Sequence, residues 1–227
     1  MRVAGLLLAL VLVTSCFVGG TFAKYVTSGT GADSARVAKF GVTITANGST
    51  FAEEYMTDDK GVGTLTKSVV SSVNKQKVVA PGTKGEMVSM TLSGTPEVAV
   101  NVKYEATVEL TGWTYNDGTD DSFYCPLVIT VGTDELKGTD YENAAAFAAA
   151  VKAKIDGYSA NYAANTNLGT NNKVKVPSVS WAWAFEGTTG DKYQQDDVKD
   201  TYLGNQAATA TAATVSLTVK TTVTQID

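Results

Sequence analysis

Residues 98–110 read VAVNVKYEATVEL, and this stretch decides the fold. Val98, Val100, Val102, Tyr104, Ala106, Val108 and Leu110 occupy even positions, while Asn101, Lys103, Glu105, Thr107 and Glu109 occupy odd ones. Such period-two alternation puts one face of a strand in a core and the other in water, as in an antiparallel sheet. The C-terminal stretch repeats it, with Val215, Leu217, Val219 and Val223 opposite Thr214, Ser216, Thr218, Lys220, Thr222 and Thr224. Shorter runs of the same kind are Ala38/Phe40/Val42/Ile44 in a strand expected over 35–46, Val88/Met90/Leu92 in one expected over 86–92, Leu127/Ile129/Val131 and Trp181/Trp183/Phe185. Turn residues separate the runs: Asn47-Gly48, Pro81-Gly82, Ser93-Gly94-Thr95-Pro96, Asn116-Asp117-Gly118 and Gly187-Thr188-Thr189-Gly190. Several amphipathic strands on one chain bury their apolar faces in a sandwich or a closed barrel. The uneven strand lengths favour a two-sheet antiparallel β-sandwich.

One segment departs from this pattern. Thr139-Asp140-Tyr141-Glu142 has the form of a capping box, and Asn143–Ile155 (NAAAFAAAVKAKI) is Ala-rich, with Gly157 as a stop signal. The spacing predicts a helix of about four turns over 140–156, inserted between strands. Ala144, Ala148, Val151 and Ile155 share one face, Phe147 lies at its border, and Lys152 and Lys154 sit near the C-terminal end of the dipole. The polar, Asn-rich stretch that follows, to about Asn172, reads as an irregular excursion.

Composition narrows the chemistry. The 227 residues include 18 Lys+Arg, 23 Asp+Glu and no His, for a net charge of -5. Without His there is no Ser-His-Asp or Cys-His arrangement and no HExxH zinc site. The acidic balance argues against nucleic acid, which calls for a basic stripe. Thr (32) and Val (28) supply about a quarter of the chain, and both suit pleated, half-buried strands. A chain of this length buries roughly 70% of its unfolded surface, so one domain, expected over 35–227, needs no disulfide staple.

Residues 1–23 read as a secretory signal. Arg2 gives a minimal positive start, Ala4–Val13 an apolar run, and Thr21-Phe22-Ala23 small residues at -3 and -1 before Lys24. Cleavage is expected between Ala23 and Lys24. Val13-Thr14-Ser15-Cys16 also fits a lipobox, which makes Cys16 the alternative, acylated N-terminus. If Cys16 leaves with the signal, Cys125 stands alone and reads as a small buried hydrophobe. The next eleven residues, Lys24, Tyr25, Val26, Thr27, Ser28, Gly29, Thr30, Gly31, Ala32, Asp33 and Ser34, are small and polar, with only Tyr25 and Val26 to bury. They are either a frayed terminus or a detachable strand able to add to the sheet edge of a neighbouring molecule.

Other candidates carry bland readings beside their functional ones. Asn116-Asp117-Gly118-Thr119-Asp120-Asp121 and the set Asp191, Asp196, Asp197 and Asp200 offer oxygen ligands to calcium, but neither has EF-hand spacing and both read better as solvated acidic surface. Trp181, Trp183 and Phe185, with Trp113 and Tyr115, form either a carbohydrate-binding platform or part of a sandwich core, and core is the stronger reading. No residue set points to a cofactor, a metal or an enzymatic role.

Several of these features together resemble the TasA/camelysin family of Gram-positive bacteria. Gly19-Gly20-Thr21-Phe22-Ala23 looks like that family's signal cleavage region, and Ala80-Pro81-Gly82-Thr83-Lys84 like its turn before a core strand. The helix end Lys152-Ala153-Lys154-Ile155-Asp156 and the segment Tyr202-Leu203-Gly204-Asn205-Gln206 before the last strand are similar to further family features. The resemblance implies a jelly-roll sandwich, secreted after processing by a dedicated signal peptidase and assembled into extracellular fibres of a biofilm matrix at the cell surface. It also implies that residues 24–34, freed by cleavage, serve as a donor strand inserted into the next copy of the chain. The expected partners are therefore the chain itself and, besides the peptidase, other matrix components. A catalytic role, which the camelysin side of the resemblance raises, lacks the His ligands a zinc peptidase needs. The alternative function is a surface-anchored module, lipidated at Cys16, that binds carbohydrate or protein.

Overall fold

The computed structural model describes residues 35–47, 51, 54–56, 69–72, 76–169, 174–184, 190–208 and 212–226. The chain divides into two compact units, Met1–Val37 and Ala38–Asp227. Of the first, only residues 35–37 are described; they are exposed and carry no regular structure. All that follows concerns the second.

This unit is mostly β and wholly antiparallel. Strands β1 (Thr43–Asn47), β4 (Lys84–Ser93), β8 (Leu127–Val131), β9 (Asp134–Lys137) and β11 (Val179–Trp183) form a five-stranded sheet in the order β1-β4-β11-β8-β9. Strands β5 (Val100–Thr111), β10 (Ala160–Tyr162) and β12 (Thr214–Gln225) form a second sheet in the order β10-β5-β12. Two small hairpins complete the set, β2 (Glu54–Met56) with β3 (Val69–Ser71) and β6 (Thr114–Asn116) with β7 (Asp121–Phe123). The two main sheets share one core: Met90, Leu92, Leu127, Ile129, Val131, Val179, Trp181 and Trp183 from the first pack with Val100, Val102, Tyr104 and Ala106 from the second. This is the antiparallel sandwich architecture that the alternating runs predict.

Register follows hydrophobic pattern. In β5 the even residues Val100, Val102, Tyr104 and Ala106 are buried, and Lys103 and Thr107 are exposed. A one-residue slip would turn that whole face to water, so the twelve-residue pairing with β12, from Thr214↔Thr111 to Gln225↔Val100, is held by its side chains. The Ala80–Thr83 turn has Pro81 at its second position and Gly82 at its third with φ +80°, the geometry of a type II turn. Thr83 is buried with both backbone neighbours engaged: its hydroxyl donates to Ala80 O (2.6 Å), and its carbonyl accepts from Trp183 N (2.8 Å).

The inserted helix α1 runs Ala144–Asp156. Its start differs from the expected capping box. Asn143 is the N-cap, its Oδ1 accepting from Ala146 N (2.9 Å), while Gly138–Asp140 form a separate 3-10 turn. The buried side chains are Phe147, Val151 and Ile155, so Phe147 lies on the centre of the packed face and not at its border. A bulky ring outweighs alanines in deciding which face turns inward. Lys152 and Asp156 pair one turn apart, and Lys154 bonds Asp134 at the start of β9 (2.8 Å).

Three further expectations are corrected. A second helix, α2 (Gly190–Ala207), precedes β12 where no helix is predicted, because its sequence is polar and carries no apolar period. The excursion after α1 contains β10, which pairs with β5. The first strand begins only at Thr43: residues 35–42 have no regular structure, although Lys39 and Glu97 hold each other through Lys39 N to Glu97 Oε2 (2.9 Å) and Glu97 N to Lys39 O (2.8 Å). Gly94 explains why that crossing is close, since it sits at φ +116° and a Cβ there would lie 2.2 Å from Gly41 O.

Replacing Phe147 by Ala is expected to cost about 3–5 kcal/mol of unfolding free energy in a denaturant titration, and Asn143 by Ala about 1 kcal/mol. Equal effects would contradict the assignment of Phe147 to the packed face and Asn143 to the cap.

Candidate functional site

The two ends of the sandwich are finished differently, and the difference is a matter of backbone hydrogen bonding. Ile226 N donates to Ala99 O (3.0 Å) at the end of the β5–β12 ladder. By the antiparallel alternation, the even residues of β12 and odd residues of β5 bond each other, so the even residues of β5 and the odd residues of β12 direct N–H and C=O away from the pair.

On the β5 side those outward groups are used along residues 100–106. β10 pairs along 100–102. Beyond it, Tyr104 N donates to Ser159 Oγ (2.9 Å) and Ala106 N to Asp156 Oδ1 (2.8 Å). Both acceptors come from the end of α1 and the residues just after it, and α1 packs on β5, β8 and β9, bridging the two sheets. That margin is plugged along residues 100–106.

On the β12 side the equivalent groups belong to Val215, Leu217, Val219, Thr221 and Val223, and among the described residues no strand pairs with them. The same residues turn their side chains inward, yet all are only half-buried, whereas their neighbours Val102, Tyr104 and Ala106 on β5 are fully so. Thr221 Oγ1 lies 2.9 Å from Met90 Sδ, which brings this point of β12 against β4, the neighbour of the other sheet's edge strand β1. There Ile44, paired with the buried Leu92, is 39% exposed, and Phe40 just before β1 is 41% exposed. The described residues thus leave a twelve-residue sheet edge unpaired above partly covered apolar side chains.

The sequence candidates distribute as follows. Ala23, Lys24, the rest of 24–34 and Cys16 lie outside the described residues, as does Phe185. Trp181 and Trp183 are 2% and 6% exposed, and Trp113 is 2%, so these rings are core and form no exposed platform. Trp113 stacks edge-on against Trp183 (5.7 Å between centroids) and donates Nε1–H to Thr214 O (2.8 Å), tying the start of β12 to the core. Cys125 is buried, and burial pushes its thiol up to about 12, which leaves it unreactive. In the 116–121 loop, Asn116 and Asp117 side-chain oxygens accept from the backbone of Gly118, Thr119 and Asp120, and Asn116 Nδ2 donates to Asp121 Oδ1. The bond from Thr119 N holds the Asp117 carboxyl below the usual carboxylate range. Those oxygens serve the turn itself. Among the described residues no group of three or more His, Cys, Asp or Glu is placed to hold a metal ion. Asp196, Asp197 and Asp200 all lie on α2, and Asp200 is turned onto the aromatic core, accepting from Tyr124 Oη and Trp183 Nε1.

Two features were not singled out from the sequence. One is the capping of the β5 edge by Asp156 and Ser159, which has no linear signature because partners lie 50 and 55 residues apart. The other is a cleft of about 780 Å³ beside β10, lined by Tyr158, Ser159, Tyr162, Val174, Lys175 and Val176 among others. No described helix is long and apolar enough to cross a membrane.

Asp156→Ala is expected to lower stability by about 1–3 kcal/mol, since it strands the buried N–H of Ala106, while Asp156→Asn retains an acceptor and loses less. Thermal melts of the two variants check the order. Compared with protein-family models, with curated proteins and with solved structures, the chain shows no match in any of the three.

Proposed function

We propose that this chain is a non-catalytic structural subunit of a secreted extracellular fibre or biofilm matrix, assembled by donor-strand insertion. In this reading the signal is removed between Ala23 and Lys24, and residues 24–34 of one copy pair with β12 of the next. The jelly-roll topology and the dedicated peptidase of the resembled family belong to the same proposal.

The observation that carries it is the contrast between the two margins. One is plugged by α1 with side-chain caps; the other leaves Val215, Leu217, Val219, Thr221 and Val223 unpaired among the described residues, over a half-covered apolar face. An open edge of this length is a template for a further strand, and native proteins normally blunt such edges. The eleven residues 24–34 match the twelve of β12 in extended length. Each backbone hydrogen bond made there contributes about 1 kcal/mol net, and covering the valines adds roughly 25 cal/mol per Å² of apolar surface. Small, polar donor residues suit a groove that is already half-filled. A donor from one molecule entering an acceptor on the next does not close on itself, so the product is a filament. An uncleaved leader would hold back the donor, which makes proteolysis the trigger.

The test combines N-terminal sequencing with electron microscopy. The secreted protein is expected to begin at Lys24; 24–227 is expected to form filaments, and 35–227 to remain folded and monomeric. Val219→Pro removes one outward N–H from an edge position, where proline is tolerated, and is expected to reduce filament growth at least tenfold with the monomer still folded. Filaments from 35–227, or monomers from both forms, would overturn the reading. An acylated Cys16 at the mature N-terminus would instead support the anchored binding module.

A further inference from the structure

Helix α2 (Gly190–Ala207) is polar, yet it lies on aromatic ground. Between Asp196 and Ala207 only Leu203 is buried, and Val198 is 57% exposed. Beneath it are Trp183 and Tyr124, 6% and 5% exposed, with Tyr115 at the rim. Beside Leu203, the contacts described between residues 196–207 and this floor are made largely by polar groups and converge on Asp200 and Lys199. Asp200 accepts a hydrogen bond from Tyr124 Oη (2.7 Å) at one carboxylate oxygen and from Trp183 Nε1 (3.0 Å) at the other. Lys199 stands 5.2 Å from the ring centroid of Tyr124 and 5.6 Å from that of Tyr115, and Tyr202 meets Tyr115 edge-on at 5.4 Å.

We propose that α2 is a pH-sensitive cap on this aromatic floor, held down in acid and progressively loosened as the medium becomes neutral. The fork is built around a carboxylate over aromatic rings, where its charge is poorly solvated and two donors among the described residues compensate.

The groups facing Asp200 fix the sign. Burial is the largest influence and raises its carboxyl to about 6; the bonds from Tyr124 and Trp183 pull the other way, and the neighbouring Asp196 and Asp197 add to the rise. Lys199 on the same helix lies over the Tyr124 ring. Tyr124, from the segment after β7, is itself pushed far up, and Cys125 next to it rises to about 12, so neither titrates in the acid-to-neutral range. Tyr115 contributes its ring. A carboxyl whose value is higher docked than free binds its proton more tightly in the docked state. Docking is therefore strongest below the free value of 3.8 and weakens as pH rises through about 6. Linkage with these two values makes opening roughly tenfold more favourable at pH 7 than at pH 5. Opening would bare Tyr124 and Trp183, whose polar atoms lose their acceptor together. This cap is independent of the fibre reading and fails or stands without it.

Hydrogen exchange followed by mass spectrometry on the full chain tests it, with peptides across 196–206 compared against the core strand 127–131. After correction for the intrinsic exchange rate, protection of 196–206 is expected to fall about tenfold from pH 5 to pH 7, with 127–131 unchanged. Asp200→Asn keeps an acceptor without a charge, and its protection is expected to be the same at both pH values. Asp200→Ala, which has no acceptor, is expected to leave 196–206 poorly protected at both. Equal protection of the wild-type helix at pH 5 and pH 7, or a pH dependence that persists in Asp200→Asn, overturns the proposal.

Discussion

The structure depends on β5 being satisfied on both of its edges while its even residues fill the core. Val100, Val102, Tyr104 and Ala106 can be buried only if their own N–H groups find partners, because an unpaired buried amide costs more than a methyl group returns. β10 provides some, and Ser159 and Asp156 the rest. α1 is thus more than an insertion filling space. Its apolar side, Phe147, Val151 and Ile155, and its polar end, Asp156, solve two problems of the same strand at once.

One group in this core is left without that treatment. The hydroxyl of Tyr104 is buried and has no hydrogen-bond partner among the described residues, and burial raises its ionisation well above the ordinary phenol value. The ring is nevertheless well used, since it fills the centre of β5 opposite Thr221. A phenylalanine would pack the same volume, and nothing else in the structure explains the oxygen.

How much of this was legible in the sequence depends on whether the signal was local. Alternation over 98–110 and 214–224 announced the two long strands, and Pro81-Gly82 announced its turn, because both are properties of neighbouring residues. The Ala-rich helix was equally plain, but its cap was not: Thr139 and Glu142 satisfy a capping pattern that Asn143 satisfies better in place. Helix α2 was hidden because, among its described side chains, a lone Leu203 is buried and the remaining hold on the core comes from polar groups such as the Asp200 oxygens and Lys199 Nζ, which hydrophobic periodicity does not register. Trp181 and Trp183 read as core and are buried, because the alternating Ser180 and Ala182 leave the other face of that strand small and only half-buried. That the described residues leave the β12 edge unpaired was beyond sequence reading altogether, since a strand's pattern shows which face is buried and says nothing of which flank has a neighbour.

The crossing at Gly41 and Gly94 bears on how the molecule carries load. Lys39 and Glu97 grip each other through two bonds just ahead of it, and β1 then runs antiparallel along β4 from Thr43↔Ser93 to Asn47↔Ser89. A pull on the leading arm must first break that grip and drag a backbone past another at contact distance before the β1–β4 ladder feels it. The sandwich is in this way buckled at the point where its N-terminal strap enters, and tension is met by a local clasp, sparing the sheet behind it.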